Sequence, residues 1–353
     1  MVHTPHPDKG LDEGIKLGLG SESDPALTRT GPADMTSLLL RRLALGLVTI
    51  WIVSVIIFLG VEALPGDACT AVLERDAQGE VLAKCRDDLG LNAPALTRYA
   101  DWAVGVLHGD FGMSANGLQS ISELVGYRVR NSLLLAAGAL SVGIPLAIFL
   151  GTVAGLWRDK PIDLLFSTGA IFAMTIPDFV SATILILIFA IWLGWVPAIV
   201  ITPADAPPLD FFPEFVLAAV VLTLVMIAHI MRMVRSSVIE VMATDYVQMA
   251  TLKGVPYWRI VLTHALPNAL LPAINVIALT IAWLLGGVVV VEVVFNYPGL
   301  GRMLVDAVSD RDLPVIQAIT LIVAATYVGV NLVADILAMM LNPRLRTHQT
   351  RRQ

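Results

Sequence analysis

Six long runs of apolar residues divide the chain. A bilayer core about 30 Å thick is crossed by about 20 helical residues, and each run is close to that length. The runs do not alternate polar and apolar residues, as membrane-spanning strands do. The pattern therefore predicts an all-α membrane protein with six transmembrane helices, at Leu43–Leu64, Leu133–Trp157, a segment within Asp163–Trp195, Phe215–Met231, Leu271–Val294 and Val315–Leu341.

The amino-acid composition supports a membrane location and excludes several other classes. Hydrophobic residues make up 56% of the 353 residues and charged residues 15%, whereas about 25% of a typical soluble chain is charged. A chain so rich in apolar residues is not disordered over most of its length. The net charge of -6 argues against a nucleic-acid-binding protein, which would be basic.

The distribution of Lys and Arg predicts the orientation, because cytoplasmic loops carry an excess of both. With the N-terminus inside, 15 of the 23 basic residues lie in cytoplasmic segments and eight lie outside. Six of those eight fall in the long segment between the first two runs, and long loops cross a membrane regardless of charge. We therefore predict that both termini are cytoplasmic.

These features predict five regions. Residues 1–34 are polar and have no apolar period, so they form a disordered cytoplasmic tail, or else Met35 is the natural start. The others are a first transmembrane helix (35–64), a small external subdomain (65–131), a five-helix core (132–342) with a cytoplasmic loop at 236–267, and a second cytoplasmic tail (343–353).

The cytoplasmic loop contains the signals of short helices. Ser237 precedes Glu240 by three residues, and Asp245 precedes Gln248 by three, which is the spacing of the capping box at a helix start. The second helix would run over Tyr246–Lys253. Gly254 follows at the position where a left-handed residue ends a helix.

One face of this second helix would be partly apolar, with Tyr246, Met249, Ala250 and Lys253 at helical spacing. An isolated helix this short is marginal in water, so something must cover that face. It either packs on the protein's own membrane helices or docks into a groove on a soluble partner.

The loop resembles the EAA loop of binding-protein-dependent ABC importers, in which Glu-Ala-Ala is followed by Gly and then by Leu-Pro. With Gly254 in register, Gln248-Met249-Ala250 occupies the Glu-Ala-Ala positions and Leu266-Pro267 the Leu-Pro positions. Gln248, Met249 and His264 depart from the pattern. Further motifs resemble the dipeptide/oligopeptide branch of B-type permease subunits, among them Leu64-Pro65-Gly66-Asp67, Gly109-Asp110-Phe111-Gly112, Pro298-Gly299-Leu300-Gly301 and Asn342-Pro343-Arg344.

The resemblance implies a type I ABC importer permease fold in the bacterial inner membrane. It implies a second homologous permease subunit, two ATP-binding subunits and an external substrate-binding protein as partners. ATP and Mg would be bound by the ATPase subunits, and this chain has no phosphate-binding Gly-x-x-x-x-Gly-Lys-Ser/Thr motif. The residues that would couple to an ATPase are Tyr246, Gln248, Met249, Ala250, Lys253, Gly254, Leu266 and Pro267. The substrate stays open among peptides, opines, glutathione and nickel.

A secondary transporter and a membrane scaffold or enzyme are the two alternative protein classes. A self-sufficient secondary transporter would contain inverted repeats and paired broken helices, but only one break is evident, at Pro177. A membrane scaffold or enzyme has no supporting motif, since neither His-Glu-x-x-His nor Gly-x-Ser-x-Gly occurs.

Ionisable residues at membrane depth are candidates for function, because burying them in lipid is costly. Asp335, four residues after Asn331, either forms hydrogen bonds between helices or lines the translocation path. Asp178 follows Pro177, so it either belongs to a structural kink or lines the path. Glu62 and Glu292 lie near the outer ends of their runs, where their carboxylates would reach water.

The two cysteines, Cys69 and Cys85, both lie in the external segment. A pair of cysteines in an oxidising compartment usually forms a disulfide, which we predict here. The alternative is two buried free thiols, because sequence does not show how closely the two Cα atoms approach.

Overall fold

The computed structural model describes residues 35–63, 69–70, 78–88, 90–115 and 119–341, so the two predicted tails lie outside the described residues. Within these ranges the chain is nearly all helical, with one isolated β-bridge between Met113 and Ser120. The helices are α1 (Met35–Glu62), α2 (Gly79–Asp88), α3 (Ala95–Leu107), α4 (Ile121–Leu156), α5 (Pro161–Thr175), α6 (Asp178–Leu185), α7 (Val216–Met242), α8 (Asp245–Leu252), α9 (Leu266–Val294), α10 (Leu300–Ser309) and α11 (Leu313–Leu341).

The predicted all-α membrane protein is confirmed. In the described part of the chain, α1, α4, α7 and α11 are each long and apolar enough to cross a membrane. The bent pair of α5 and α6 passes the same test together and would make a fifth span. The predicted run Leu271–Val294 lies within the continuous helix α9.

The third predicted span is broken where the sequence indicated. The axes of α5 and α6 differ by 108°, and the break falls at Ile176 and Pro177. Ile176 has an extended backbone, as residues before proline favour. Asp178 is the first residue of α6, which continues as a π-helical segment at Ile186–Trp192.

The core is centred on the packing of α4 against α7, where glycines let the two helices approach closely. A Cβ at Gly151 would lie 2.6 Å from the carbonyl oxygen of Met231, and one at Gly155 would lie 2.9 Å from Cβ of Val238. This contact holds α7 in the centre of the fold, and α9 packs on α7 as well.

The helix start predicted at Ser237 is wrong. α7 runs without interruption through Ser237 to Met242, because this stretch is buried against the glycine-lined face of α4 and Ser237 is itself buried. The packing of a long helix therefore overrides the local capping pattern, and the loop after α7 contributes one new helix before residue 257.

The segment between α1 and α4, predicted to be external, packs on the second half of α1. The Tyr99 hydroxyl on α3 lies 2.9 Å from Ser54 Oγ, and the Tyr99 ring lies edge-on to Phe58. Arg98 forms an ion pair with Glu62. Cys69 and Cys85 are joined in a disulfide with their Cα atoms 5.9 Å apart, which is the pair that the sequence predicted.

Candidate functional site

The short helix α8 projects from the end of α7 with one side anchored and the other exposed. It starts after Thr244, whose carbonyl oxygen accepts hydrogen bonds from the N–H groups of Val247 and Gln248, both at 3.2 Å. Asp245 is thus the first helical residue and not the cap, one residue earlier than the predicted helix. Val247 is 3% exposed and fixes the helix to the protein.

Gly254 ends α8 in the conformation that the sequence indicated. Its φ is +74°, a left-handed backbone that costs glycine little and other residues more. Its N–H donates to Thr251, and the N–H of Val255 donates to Ala250, at 3.0 and 3.2 Å. These two bonds form a Schellman motif. A Cβ at Gly254 would meet no atom within 4 Å, so the backbone conformation and not space requires glycine.

The chain returns to the membrane through a π-helical segment at Ile260–Ala265, and α9 follows directly at Leu266. Pro267 is the second residue of α9 and has no N–H to donate. The Leu-Pro of the sequence motif thus marks the point where the loop after α7 joins the long helix α9.

A continuous apolar surface results, which we call the loop surface. It comprises side chains of α8 and of the returning segment that are exposed in this chain: Tyr246, Met249, Leu252, Tyr257, Trp258 and Leu262. Leu252 is 80% exposed and Met249 53%. The Tyr246 hydroxyl donates to the carbonyl oxygen of His264 at 3.4 Å, which ties α8 to the returning segment. Exposed apolar patches of this kind mark sites of protein interaction.

The predicted coupling residues lie together at this place. Gln248 is exposed, and its amide nitrogen donates to the Ala243 carbonyl oxygen at 3.4 Å. Lys253 is exposed beside Gly254, and Ala250 is half-buried. Leu266 and Pro267 stand at the start of α9 and flank the loop surface without belonging to its exposed apolar group.

The two membrane carboxylates lie apart from the loop surface and from each other. Asp178 is half-buried at the break between α5 and α6 and is near enough to His229 on α7 to interact with it electrostatically. Asp335 on α11 forms an ion pair with Arg42 on α1. The position of Asp335 therefore joins two helices, and its role in a path stays a prediction.

Sequence reasoning missed an ion pair between the start of α5 and α7. Asp163 at the start of α5 accepts hydrogen bonds from Arg235 Nε at 2.5 Å and from its Nη2 at 2.7 Å. The Asp163 side chain is 5% exposed and also accepts from Ser167 Oγ at 3.0 Å. Paired bonds between arginine and a carboxylate are strong and directional, so this pair fixes α5 to α7 shortly before α8 begins.

At the opposite end of the helices, Glu292 is buried, which corrects the expectation that it reaches water. It is 0% exposed and accepts hydrogen bonds from the N–H groups of Gly301 at 2.7 Å and Arg302 at 3.1 Å. It also accepts one from the Ser132 hydroxyl on α4. The carboxylate thus supplies the first N–H groups of α10 with an acceptor, in the manner of a cap.

Further polar bonds extend this cluster to the segment between α6 and α7. Asn131 donates to the carbonyl oxygens of Ala204 at 2.9 Å and Pro298 at 3.0 Å. Tyr297 donates from its hydroxyl to the Asn131 carbonyl oxygen at 2.9 Å, and burial raises the pKa of Tyr297 so that it keeps this proton. The motif Pro298-Gly299-Leu300-Gly301 therefore serves to hold helix ends together.

Comparisons with known proteins cover both halves of the chain. Residues 143–347 match the family described as the binding-protein-dependent transport system inner membrane component, and residues 35–127 match the family of its N-terminal part. A putative peptide transport system permease protein of Brucella abortus is 35% identical over 312 residues, which cover 88% of this chain and 99% of that protein. A glutathione transport system permease protein of Salmonella typhimurium is 36% identical over 313 residues, with the same coverage of the two chains.

Proposed function

The chain belongs to the family of binding-protein-dependent transport system inner membrane components, and from this premise we propose that its substrate is a peptide or a peptide-like small solute. It is a membrane permease component of an ABC importer and is not the catalytic subunit. The hypotheses of a secondary transporter and of a membrane scaffold are set aside by this membership. Peptide and glutathione permeases among its relatives support the substrate class.

The complex that we propose contains this chain, a second homologous permease, two ATP-binding subunits and an external binding protein. ATP and Mg bind to the ATPase subunits. The short cytoplasmic loops carry the excess of Lys and Arg, so both termini and α8 lie on the cytoplasmic side. The translocation path forms between the two permeases, with Asp178 at the break of the third span as a candidate lining residue.

The loop surface supports the proposed coupling of this chain to an ATPase subunit. It exposes large apolar side chains on a helix whose two ends are fixed by backbone hydrogen bonds, and it stands beside helices that enter the membrane. A groove on an ATPase subunit would bury these side chains, as grooves bury amphipathic helices elsewhere. Rotation of the bound ATPase would then act on α7 and α9, which flank α8.

Photo-crosslinking in the assembled complex tests the docking. Met249 is replaced by p-benzoylphenylalanine, and the adduct is identified by mass spectrometry. We expect an adduct with an ATPase subunit. Leu209, which is 86% exposed on the other side of the fold, is the matched control and should give none. Adducts of position 249 with this chain alone would contradict the docking.

Transport by the reconstituted complex tests the substrate class. We expect uptake of a labelled dipeptide or tripeptide into proteoliposomes only when ATP and the binding protein are both present. Competition by unlabelled glutathione and nickel then ranks the alternatives. Uptake that an ion gradient drives without ATP would contradict the proposal.

A further inference from the structure

A groove of 660 Å³ lies between α1 and α11 at the membrane face where α1 begins. This volume falls within the range of about 300–1,000 Å³ that small-molecule sites occupy. None of the predicted coupling residues lines this groove. Its walls are apolar for most of their length, with Leu47, Ile50, Ala325, Val328 and Leu332 among the lining residues.

The mouth of the groove is polar and carries a net positive charge. Arg42 forms an ion pair with Asp335 across the two helices. Arg41 also lines the groove, and within the described residues no hydrogen bond or ion pair engages it. Asn331 lies one helical turn before Asp335 on α11. Its side-chain amide donates an N–H to the Tyr327 carbonyl oxygen at 2.9 Å. Its second N–H has no acceptor among the described residues.

The walls of the groove are formed by a close crossing of the two helices. A Cβ at Gly46 would lie 2.7 Å from Val328 Cγ1, so α1 and α11 touch there and diverge beside the contact. From Arg42 to Ile50 the groove follows eight helical steps of α1, which is about 12 Å. A Cβ at Gly329 would meet no atom within 4 Å, which shows that the groove is open at this wall.

We propose that this groove is a binding site for an anionic phospholipid. The phosphate binds at Arg41, next to the pair of Arg42 and Asp335. Asn331 donates to an ester carbonyl oxygen of the same lipid, and one acyl chain lies along the wall past Gly46 and Gly329. Basic pockets between membrane helices are suited to such headgroups.

Charge and depth favour a lipid over another protein segment. Arg41 and Arg42 directly precede the long apolar run that starts at Leu43, so they stand at the level of the headgroups, and the apolar wall begins where the acyl chains begin. One anionic lipid matches both parts of the groove and neutralises its net charge. Within the described chain α11 is the principal neighbour of α1, so a lipid here would reinforce the main contact of α1 with the other membrane helices.

The occupant can be identified by crosslinking in the intact importer. Tyr327, a partly exposed residue of the groove, is replaced by p-benzoylphenylalanine, and the complex is irradiated in nanodiscs of phosphatidylcholine with phosphatidylglycerol. We expect an adduct of phosphatidylglycerol in excess over phosphatidylcholine. An adduct with another subunit, or with residues 1–34 or 342–353 of this chain, would overturn the proposal.

Two pairs of variants test the parts of the site by native mass spectrometry of bound phosphatidylglycerol. Arg41→Gln should lower the affinity about fivefold, equivalent to about 1 kcal/mol for one basic residue, whereas Lys160→Gln at the same membrane face should not. Gly329→Leu should fill the groove and abolish binding, whereas Gly60→Leu, at another open glycine, should not. Equal lipid binding by all four variants would refute the site even if transport is normal.

Discussion

Asp163 and Arg235 are 72 residues apart in sequence and are joined by two hydrogen bonds of 2.5 and 2.7 Å. The first stands at the start of α5, and the second lies ten residues before α8. The pair therefore connects the broken third span to the helix that leads into the loop surface. A displacement of α8 by a docked ATPase would reach α5 through this contact.

Breaking this pair should uncouple the importer. Asp163→Asn leaves the Arg235 guanidinium without its carboxylate. The Arg235 side chain is 26% exposed, so the loss costs more than the ~0–1 kcal/mol of an exposed pair and less than the ~3–5 kcal/mol of a fully buried one. We expect a lower unfolding temperature and a loss of ATPase stimulation by the binding protein. Thermal unfolding and ATPase assays of the complex measure the two effects.

The exposed pair of Arg158 and Asp159 provides the control, since exposed pairs contribute about 0–1 kcal/mol. Arg158→Gln should leave both readouts near those of the unchanged protein. If Asp163→Asn behaved in the same way, the pair would have no coupling role.

Gly254 should tolerate only residues that accept a left-handed backbone. Gly254→Val must hold a β-branched residue at φ +74°, at a cost of about 1–3 kcal/mol. We expect the chain to insert into the membrane while the amount of copurified ATPase subunit falls. Gly254→Asn is the matched variant, because asparagine adopts this conformation more readily, and it should retain more ATPase. Equal copurification with both variants would show that the Schellman turn is not needed for docking.

The sequence predicted those features that depend on neighbouring residues. The apolar runs, the break at Pro177 and the left-handed Gly254 each follow from a local pattern. Four of the runs form helices long and apolar enough to cross a membrane, and the bent pair would make a fifth span. The bend and the positive φ agree with the prediction. Asp245 was misassigned by one position because Thr244 precedes it and has the extended backbone of a cap. Such shifts at helix ends are common.

Features that depend on distant residues could not be predicted. Ser237 has the spacing of a capping box, but its burial against α4 keeps it inside α7. Glu292 stands near the end of an apolar run, yet its partner Ser132 comes from a helix 160 residues earlier. Asp163 could have been suspected, since it begins an apolar run, but nothing local identifies Arg235 as its partner.

The disulfide between Cys69 and Cys85 should stabilise the external segment. The cysteines are 16 residues apart, and a loop of this length contributes about 3 kcal/mol in the chain-entropy model. We expect no labelling of either thiol in denatured protein until a reductant is added. The double variant Cys69→Ser/Cys85→Ser should be cleaved faster by protease in this segment. Full labelling before reduction would contradict the bond.

Glu292 should be needed for the packing of α10 against α4. In Glu292→Ala the buried N–H of Gly301 and the partly buried Arg302 N–H and Ser132 hydroxyl lose their acceptor. An unsatisfied buried group costs about 1–3 kcal/mol. Glu292→Gln keeps an acceptor oxygen for the two N–H groups, so it should lose less stability. Gly299→Ala should resemble Glu292→Ala, because the new Cβ would collide with the carboxylate.

Thermal unfolding of the purified chain ranks the three variants. Glu240→Ala, which removes an exposed carboxylate on α7, is the control. An unfolding temperature of Glu292→Ala equal to that of Glu240→Ala would show that the carboxylate does not hold α10 to α4.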